Sequence, residues 1–447
     1  MTDLTLPGYQ RLKPPDGWIT WEIPLEVITP LYGGGAQARH ADEQTPVRAP
    51  SIRGQLRFWW RALYGGVYGE ATSLYERERA LFGGLGKPEQ VERSRIGVEV
   101  RDLRRSDLTK VDVTLRDPAA YALWPARATT QGGPQPPAER WAPGIGFTLV
   151  VRMTPGGDAA TDRREVEGTL RAWLLFGGIG GRTRRGCGAL GISDEMARTQ
   201  WLPESLDPGT IRAWLSPGKA AGQGYPSLAG SRVCIGRRFR SPADAWHDSI
   251  NWLRDFRQGH SARVDIADQG PYARQYPPHA QGRAGRSRWP EPDLIRRAFA
   301  AYDHVPLIED GPYAWPRAQF GLPIQFRFQN RDRNRNFYKN RPPPPGTLNW
   351  KDGKEMHQRL ASPLIVKPIQ ARNGRFAGVA LWLKRTLPPG AIVGVRSNKA
   401  GDDLLGPAPL AQMPESPLFT PLSGKPSMEE AFMDWLQTVQ RLTGGTL

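Results

Sequence analysis

The sequence predicts an α+β fold made of two tandem ferredoxin-like (RRM-like, βαββαβ) domains with long loop insertions. Three observations predict it. The first 200 residues run strand, helix, strand, strand, helix, strand, which is the split βαβ pattern. The second half repeats the same kinds of segment between larger basic and proline-rich insertions. A glycine- and arginine-rich loop joins the last helix of the first half to its last strand. The expected boundaries are 1–200 for a first domain carrying that loop, 201–231 for a linker, and 232–447 for the second domain.

Each element has a local reason. Trp18 to Val27 is rich in β formers and reads as a strand. Thr29 to Pro50 is a long glycine, proline and charged loop. Ser51 stands at the N-cap position of the helix IRGQLRFWWRAL, where Ile52, Leu56, Trp59 and Leu63 form an apolar stripe. Arg53, Arg57 and Arg61, spaced by four, form a cationic ridge on that helix. Like charges at that spacing repel, so the ridge calls for a facing anion. Leu74 to Phe82 reads as helix, Arg95 to Leu103 as strand, and the polar, proline-rich Arg104 to Pro143 as an inserted loop. Gly146 to Met153 is a strand, and Val166, Leu170, Trp173 and Leu174 mark an amphipathic helix over Arg163 to Phe176.

The loop itself lies within Leu174 to Gly191, LLFGGIGGRTRRGCGALG. Glycine reaches positive φ without a Cβ penalty, so such a loop can fold sharply and present bare N–H groups as an anion-binding concavity. Arg182, Arg184 and Arg185 add forked donors suited to phosphate oxygens. Gly186, Gly188 and Gly191 spell G-x-G-x-x-G, but a dinucleotide site needs a strand before the motif and here a helix precedes it. A short strand is expected near Ala189 to Ile192.

In the second half, Trp201 to Ser231 is a Pro/Gly-rich boundary, Arg232 to Arg240 a strand and Ala243 to Phe256 an amphipathic helix. Gln258 to Pro290 is basic and loop-like, and Pro292 to Tyr302 is a helix. Leu322 to Phe328 alternates as a half-buried strand does, and Gln329 to Pro345 is a basic loop. Ser362 to Ile369 and Phe376 to Lys384 pair across the Asn373-Gly374 turn, and Met428 to Leu442 is a final helix.

Composition narrows the partner. The formal net charge is +17, carried mostly by arginine, which suits a polyanion. Nucleic acid is favoured over membrane because no apolar run approaches ~18 residues. Cys187 and Cys234 are the only cysteines, which excludes a disulfide framework and cysteine-based zinc spacing. No His, Cys or Asp motif argues for a metal, and no cofactor is expected; Asp42 and Glu43 would hold Mg²⁺ only with further partners. MTDLTLPGYQ lacks a signal-peptide core, so a cytoplasmic protein is expected.

Three stretches carry a family resemblance. They are ITPLYGGGAQARHADEQTPVRAPSIRGQLRFWWRALYGG (Ile28 to Gly66), GGIGGRTRRGCG (Gly177 to Gly188), and FGLPIQF (Phe320 to Phe326) with RLASPLIVKPI (Arg359 to Ile369). The chain resembles the RAMP superfamily, and within it the first subunit of type III-B CRISPR effectors, the Cmr complexes. The resemblance implies a non-catalytic RNA-binding subunit that contacts guide RNA near its 3′ end, target RNA, or both. The implied partners are CRISPR guide RNA, single-stranded target RNA and other Cmr-type subunits. It also implies an RNA-facing set: Arg48, Ser51, Arg53, Arg57 and Arg61 around the first helix; Gly177, Gly178, Gly180, Gly181, Arg182, Thr183, Arg184, Arg185 and Gly186 in the loop; and Arg359, Ser362 and Lys367 in the second half. Cys187 departs from the aromatic that the family usually carries there. The alternative is a metal-independent endoribonuclease that processes precursor CRISPR RNA. That chemistry needs a general base, for which His40 is the first candidate and His357 the next.

Overall fold

The computed structural model describes residues 17–84, 93–114, 117–129, 134–154, 158–219, 225–258, 315–326, 346–352, 355–357, 359–385, 392–397 and 427–447, with a few short pieces between them. The first half contributes β1 (Ile19–Val27), α1 (Ala49–Tyr68), α2 (Ala71–Phe82), β2 (Ile96–Arg104), β3 (Ile145–Met153), α3 (Ala159–Phe176) and β4 (Leu190–Gly191). Its strands form an antiparallel sheet in the order β2-β3-β1-β4. Period-two alternation sets the faces of β1: Trp21, Ile23, Leu25 and Val27 are buried. The other face carries ions that neutralise one another. Arg101 pairs with Glu99 at 2.7 Å and Glu22 at 3.2 Å, and Arg152 pairs with Glu99 at 2.7 Å. Hydrogen bonding from Arg101 holds the Glu99 carboxyl at about 2.

The second half follows through α4 (Glu195–Trp201) and α5 (Pro208–Leu215) to β5 (Ser227–Phe239), α6 (Pro242–Gln258), β6 (Leu364–Gln370), β7 (Phe376–Lys384), α7 (Met428–Thr438) and β8 (Thr443–Thr446). These strands make an antiparallel sheet in the order β6-β7-β5-β8. In both sheets the strands therefore lie in the order second, third, first, fourth along the chain. One apolar cluster runs through both halves, holding Ile23, Leu63 and Leu170 together with Val233, Ile365 and Leu381. The facing sheet edges are joined by the Gln370 carboxamide, which accepts from Ile192 N at 2.7 Å and donates to Ile192 O at 3.2 Å. Those two bonds satisfy the backbone N–H and C=O of Ile192, just beyond the end of β4.

Several sequence expectations are corrected. Helix α1 starts at Ala49, with Arg48 as N-cap and no side-chain cap, so Ser51 lies inside the first turn. The cause is Pro50, whose missing N–H costs nothing there. Residues 104–143 are more than a loop: Leu108–Lys110 and Leu31–Tyr32 flank Glu139–Trp141 in a small sheet, and Ala120–Leu123 is helical. The stretch 201–231 contains α5, and its Trp201, Leu202, Leu206, Ile211 and Leu215 are buried in the shared core. The last helix stops at Thr438 and is followed by β8. The basic loops expected over 258–290 and 329–345, and the helix over 292–302, lie almost wholly outside the described residues. Among the described residues no helix is long and apolar enough to cross a membrane.

Candidate nucleic-acid interface

The glycine-rich loop begins where α3 ends, at Gly177. Gly180, Gly186 and Gly188 have φ of +79°, +80° and +64°, and Arg182 shares the left-handed region at φ 60°, ψ 25°. The loop folds on itself and on the strand-end segment 29–32. Ile179 N donates to Gly188 O at 2.9 Å, Gly181 N to Tyr32 O at 2.6 Å, Gly188 N to Pro30 O at 3.0 Å, and Thr29 Oγ1 to Gly186 O at 2.6 Å. The expected cradle of bare amides is narrowed: Ile179, Gly181, Gly186 and Gly188 spend their N–H groups inside the chain. A glycine pattern reports conformational freedom but not which acceptor takes each N–H.

The loop's cations bolt it to β6. Arg184 donates to Ser362 O, and Arg185 donates to Leu364 O at 2.8 Å and to Ser362 Oγ at 3.2 Å. From α6, Trp246 Nε1 donates to Arg185 O at 2.8 Å. Lys367, 1% exposed, donates to Gly177 O at 2.5 Å. Lys367 therefore differs from its expected RNA-facing position, because its ammonium points into the joint. Burial pushes it down to about 7, and burial likewise lowers Arg184 and brings Arg185 to about 10, with Arg257, Arg182 and Arg184 adding repulsion. Cys187 is enclosed and burial raises its thiol to about 12, so it is a packing group.

The Lys367 environment has a stability consequence. The unfolded lysine holds its proton to ~10.4, whereas the folded one loses it near 7. Between those values the unfolded state binds more protons, so stability rises with pH, by up to ~1.4 kcal/mol per unit from this group. Urea unfolding is expected to show the wild type gaining on Lys367→Met between pH 7.5 and 9.5; parallel pH slopes would refute this.

Between the two halves opens a cavity of about 930 Å³. Arg182, Arg184 and Arg185 reach it from the loop, Arg254 and Arg257 from α6, and Arg359 from the approach to β6. Among the described lining residues Asp117 is the single carboxylate. Arg254 also pairs with Asp255 at 2.8 Å, but the set remains strongly cationic. Ser362 lines the same space.

The other expected residues sit elsewhere. The anion that the α1 ridge calls for is inside the chain: Glu78, 1% exposed, receives Arg57 at 2.5 Å and Arg61 Nη2 at 2.7 Å, while Arg53 donates to Phe82 O. Burial, then Arg57, lowers the Arg53 pKa. Arg48 pairs with Asp42 at 2.9 Å and is exposed, as is Ser51. His40 sits 3.4 Å from Glu139, away from the cavity lining. His357 is on the short strand Glu355–His357 opposite Trp350, and its side chain lies outside the described residues. Among the described residues no group of three or more His, Cys, Asp or Glu is placed to hold a metal. Sequence reasoning missed Arg254 and Arg257, one helical turn apart on α6, and the aromatics Tyr121 and Trp124 of the insertion. Their three-residue spacings were the available signal.

Residues 24–191 match the RAMP superfamily. Over 177 residues the chain is 31% identical to the CRISPR system Cmr subunit Cmr1-1 of Pyrococcus furiosus, covering 38% of this chain and 47% of that protein. It is 27% identical over 187 residues to Cmr subunit Cmr1-2 of the same organism, covering 38% and 92%. The chain thus spans about half the length of the first of these relatives. Among solved structures, that of apo Cmr1 from Pyrococcus furiosus aligns over 83% of this chain and 89% of that one, at 16% identity and TM-score 0.42. Residues 24–191, the segment that matches the RAMP superfamily, hold both the arginine helix and the glycine-rich loop.

Proposed function

We infer that the chain is a non-catalytic RNA-binding subunit of a type III-B CRISPR RNA-guided effector complex, contacting guide RNA near its 3′ end, target RNA, or both. The observation that carries this reading is the cavity between the halves, where among the described lining residues six arginines face one carboxylate. Arginines on a backbone-shaped surface hold phosphate without reading sequence. That property suits a complex in which pairing between strands reads the sequence. The names of the two curated relatives support other Cmr-type subunits as partners. The strand order common to both sheets supports the tandem ferredoxin-like reading.

The chemistry favours holding over cutting. Arginine stabilises charge but stays protonated, so it moves no proton. Among the described residues no histidine lines the cavity. Replacing Arg182 by Gly and Arg359 by Ala together is expected to weaken single-stranded RNA binding across sequences. The slope of log K against log salt is expected to flatten by ~0.7 per lost phosphate contact. An unchanged slope would take the cavity off the RNA surface. With protein in excess, labelled guide-precursor and target RNAs are expected to remain intact with or without Mg²⁺; cleavage lost in His40→Ala would establish the nuclease instead.

A further inference from the structure

We propose that the cavity between the halves seats one unpaired nucleotide, its base against Trp124 and its phosphate held by Arg182 and Arg359. This deepens the RNA-binding reading and rests on it for the source of the nucleotide.

The aromatic wall comes from the insertion between β2 and β3. Its short helix Ala120–Leu123 continues into the turn Trp124–Ala126. Ala120, Ala122, Leu123 and Ala126 are buried in one cluster with Trp246, Ile250 and Leu253 of α6, so the first half's insertion is anchored on the second half's helix. That anchoring leaves Tyr121 and Trp124, three residues apart and half-buried, in the lining of the cavity. The Arg127 guanidinium lies 3.8 Å from the Trp124 ring centroid. This cation–π contact holds the indole and leaves its other face for a second flat group. A base offers such a face whatever its identity.

The phosphate side is Arg182. It is a non-glycine residue at φ 60°, and its Nε is enclosed without a hydrogen-bond partner. Neither feature helps the free chain: left-handed backbone strains a side chain, and an enclosed donor without an acceptor is costly. Both are kept because the loop is locked around it, with Arg185 N donating to Arg182 O at 2.8 Å. Arg184 and Arg185 are already bound to carbonyl oxygens of the second half, so they set the field without being the free donors. Arg359 is exposed at the cavity. An anion placed here meets the Arg182 guanidinium from the cavity side and, among the described lining residues, a single carboxylate, Asp117. The volume of about 930 Å³ falls in the ~300–1,000 Å³ range of pockets that enclose a small ligand. A paired base has its faces stacked within the helix, so the occupant is a base outside a duplex.

The same chemistry can come from a nucleotide within a bound strand or from a free mononucleotide. The test uses the full chain, calorimetric titration with AMP, and displacement of a labelled ten-nucleotide oligoadenylate by AMP. Trp124→Ala is expected to weaken AMP and the strand each about tenfold, with Trp124→Phe restoring most of it. Arg182→Gly, which keeps the left-handed backbone, is expected to weaken AMP at least tenfold. It carries the test alone should Trp124→Ala not fold. The proposal is overturned if AMP does not bind, or if a natively melting Trp124→Ala and Arg182→Gly both keep wild-type affinity for it. Should the strand still bind with a normal salt slope in that case, the RNA-binding reading stands without the nucleotide seat. Should AMP bind through Trp124 and Arg182 while the strand does not bind, the seat stands, its ligand is the free mononucleotide, and the RNA-binding reading falls.

Discussion

Arg57→Glu is expected to destabilise the chain by about 3 kcal/mol, because it puts a second carboxylate against Glu78. Glu78 is enclosed by α1 and α2 and receives both Arg57 and Arg61. Removing one partner of a buried pair costs ~3–5 kcal/mol, since the remaining charge has lost its water. The low end applies because the Arg57 and Arg61 side chains are 31% and 45% exposed and partly screened. Glu78→Gln is expected to cost less, since the arginines can turn to solvent while the amide keeps the packing. A cycle of Arg57→Ala and Glu78→Ala, followed by urea unfolding, should show coupling on the order of 0.5–3 kcal/mol. A fully stable Arg57→Glu chain that has lost RNA binding would hand the ridge to RNA.

How much of this was legible in the sequence depends on the range of the interaction. Local periodicity identified β1, β3, α1 and α3, because the alternation of Trp21, Ile23 and Leu25 and the stripe of Ile52, Leu56, Trp59 and Leu63 are read within a few residues. The Asn373-Gly374 turn was legible for the same reason, and Gly374 indeed has φ +78°. Pairing across distance was not legible. Nothing in Arg57 names Glu78 as its partner, and nothing in Lys367 points to the carbonyl of Gly177, 190 residues away. The insertion misled for another reason: prolines and charges dominate residues 104–143, while the alanines and Leu123 that bury it are too scattered to show a period. The loop arginines were found by type, but their division was not. Arg184 and Arg185 serve the joint, while Arg182 lines the cavity and its enclosed Nε has no hydrogen-bond partner.

Gly188→Val is expected to cost about 3 kcal/mol or more and to open the joint between the halves. Gly188 sits at φ +64°, where a β-branched residue is strongly disfavoured, and the left-handed conformation alone costs ~1–2 kcal/mol. An added Cβ would also lie 1.9 Å from Ile179 O and 2.9 Å from Ile179 C, both backbone atoms that have no rotamer to give way. Forced overpacking of that kind adds ~1–3 kcal/mol. The strand-like bonds of Gly188 to Pro30 and Ile179 would break first, and with them the placement of Arg184 and Arg185 on Ser362 and Leu364. Gly54 is the control: it lies exposed in α1 with open space around an added Cβ, so Gly54→Ala is expected to stabilise by ~0.5–1 kcal/mol. Thermal melting should therefore move the two variants in opposite directions from the wild type. Limited proteolysis should cut Gly188→Val between the halves, within residues 201–231, while leaving Gly54→Ala resistant. If Gly188→Val melts with the wild type, the loop yields without strain and its role as the fixed joint is lost.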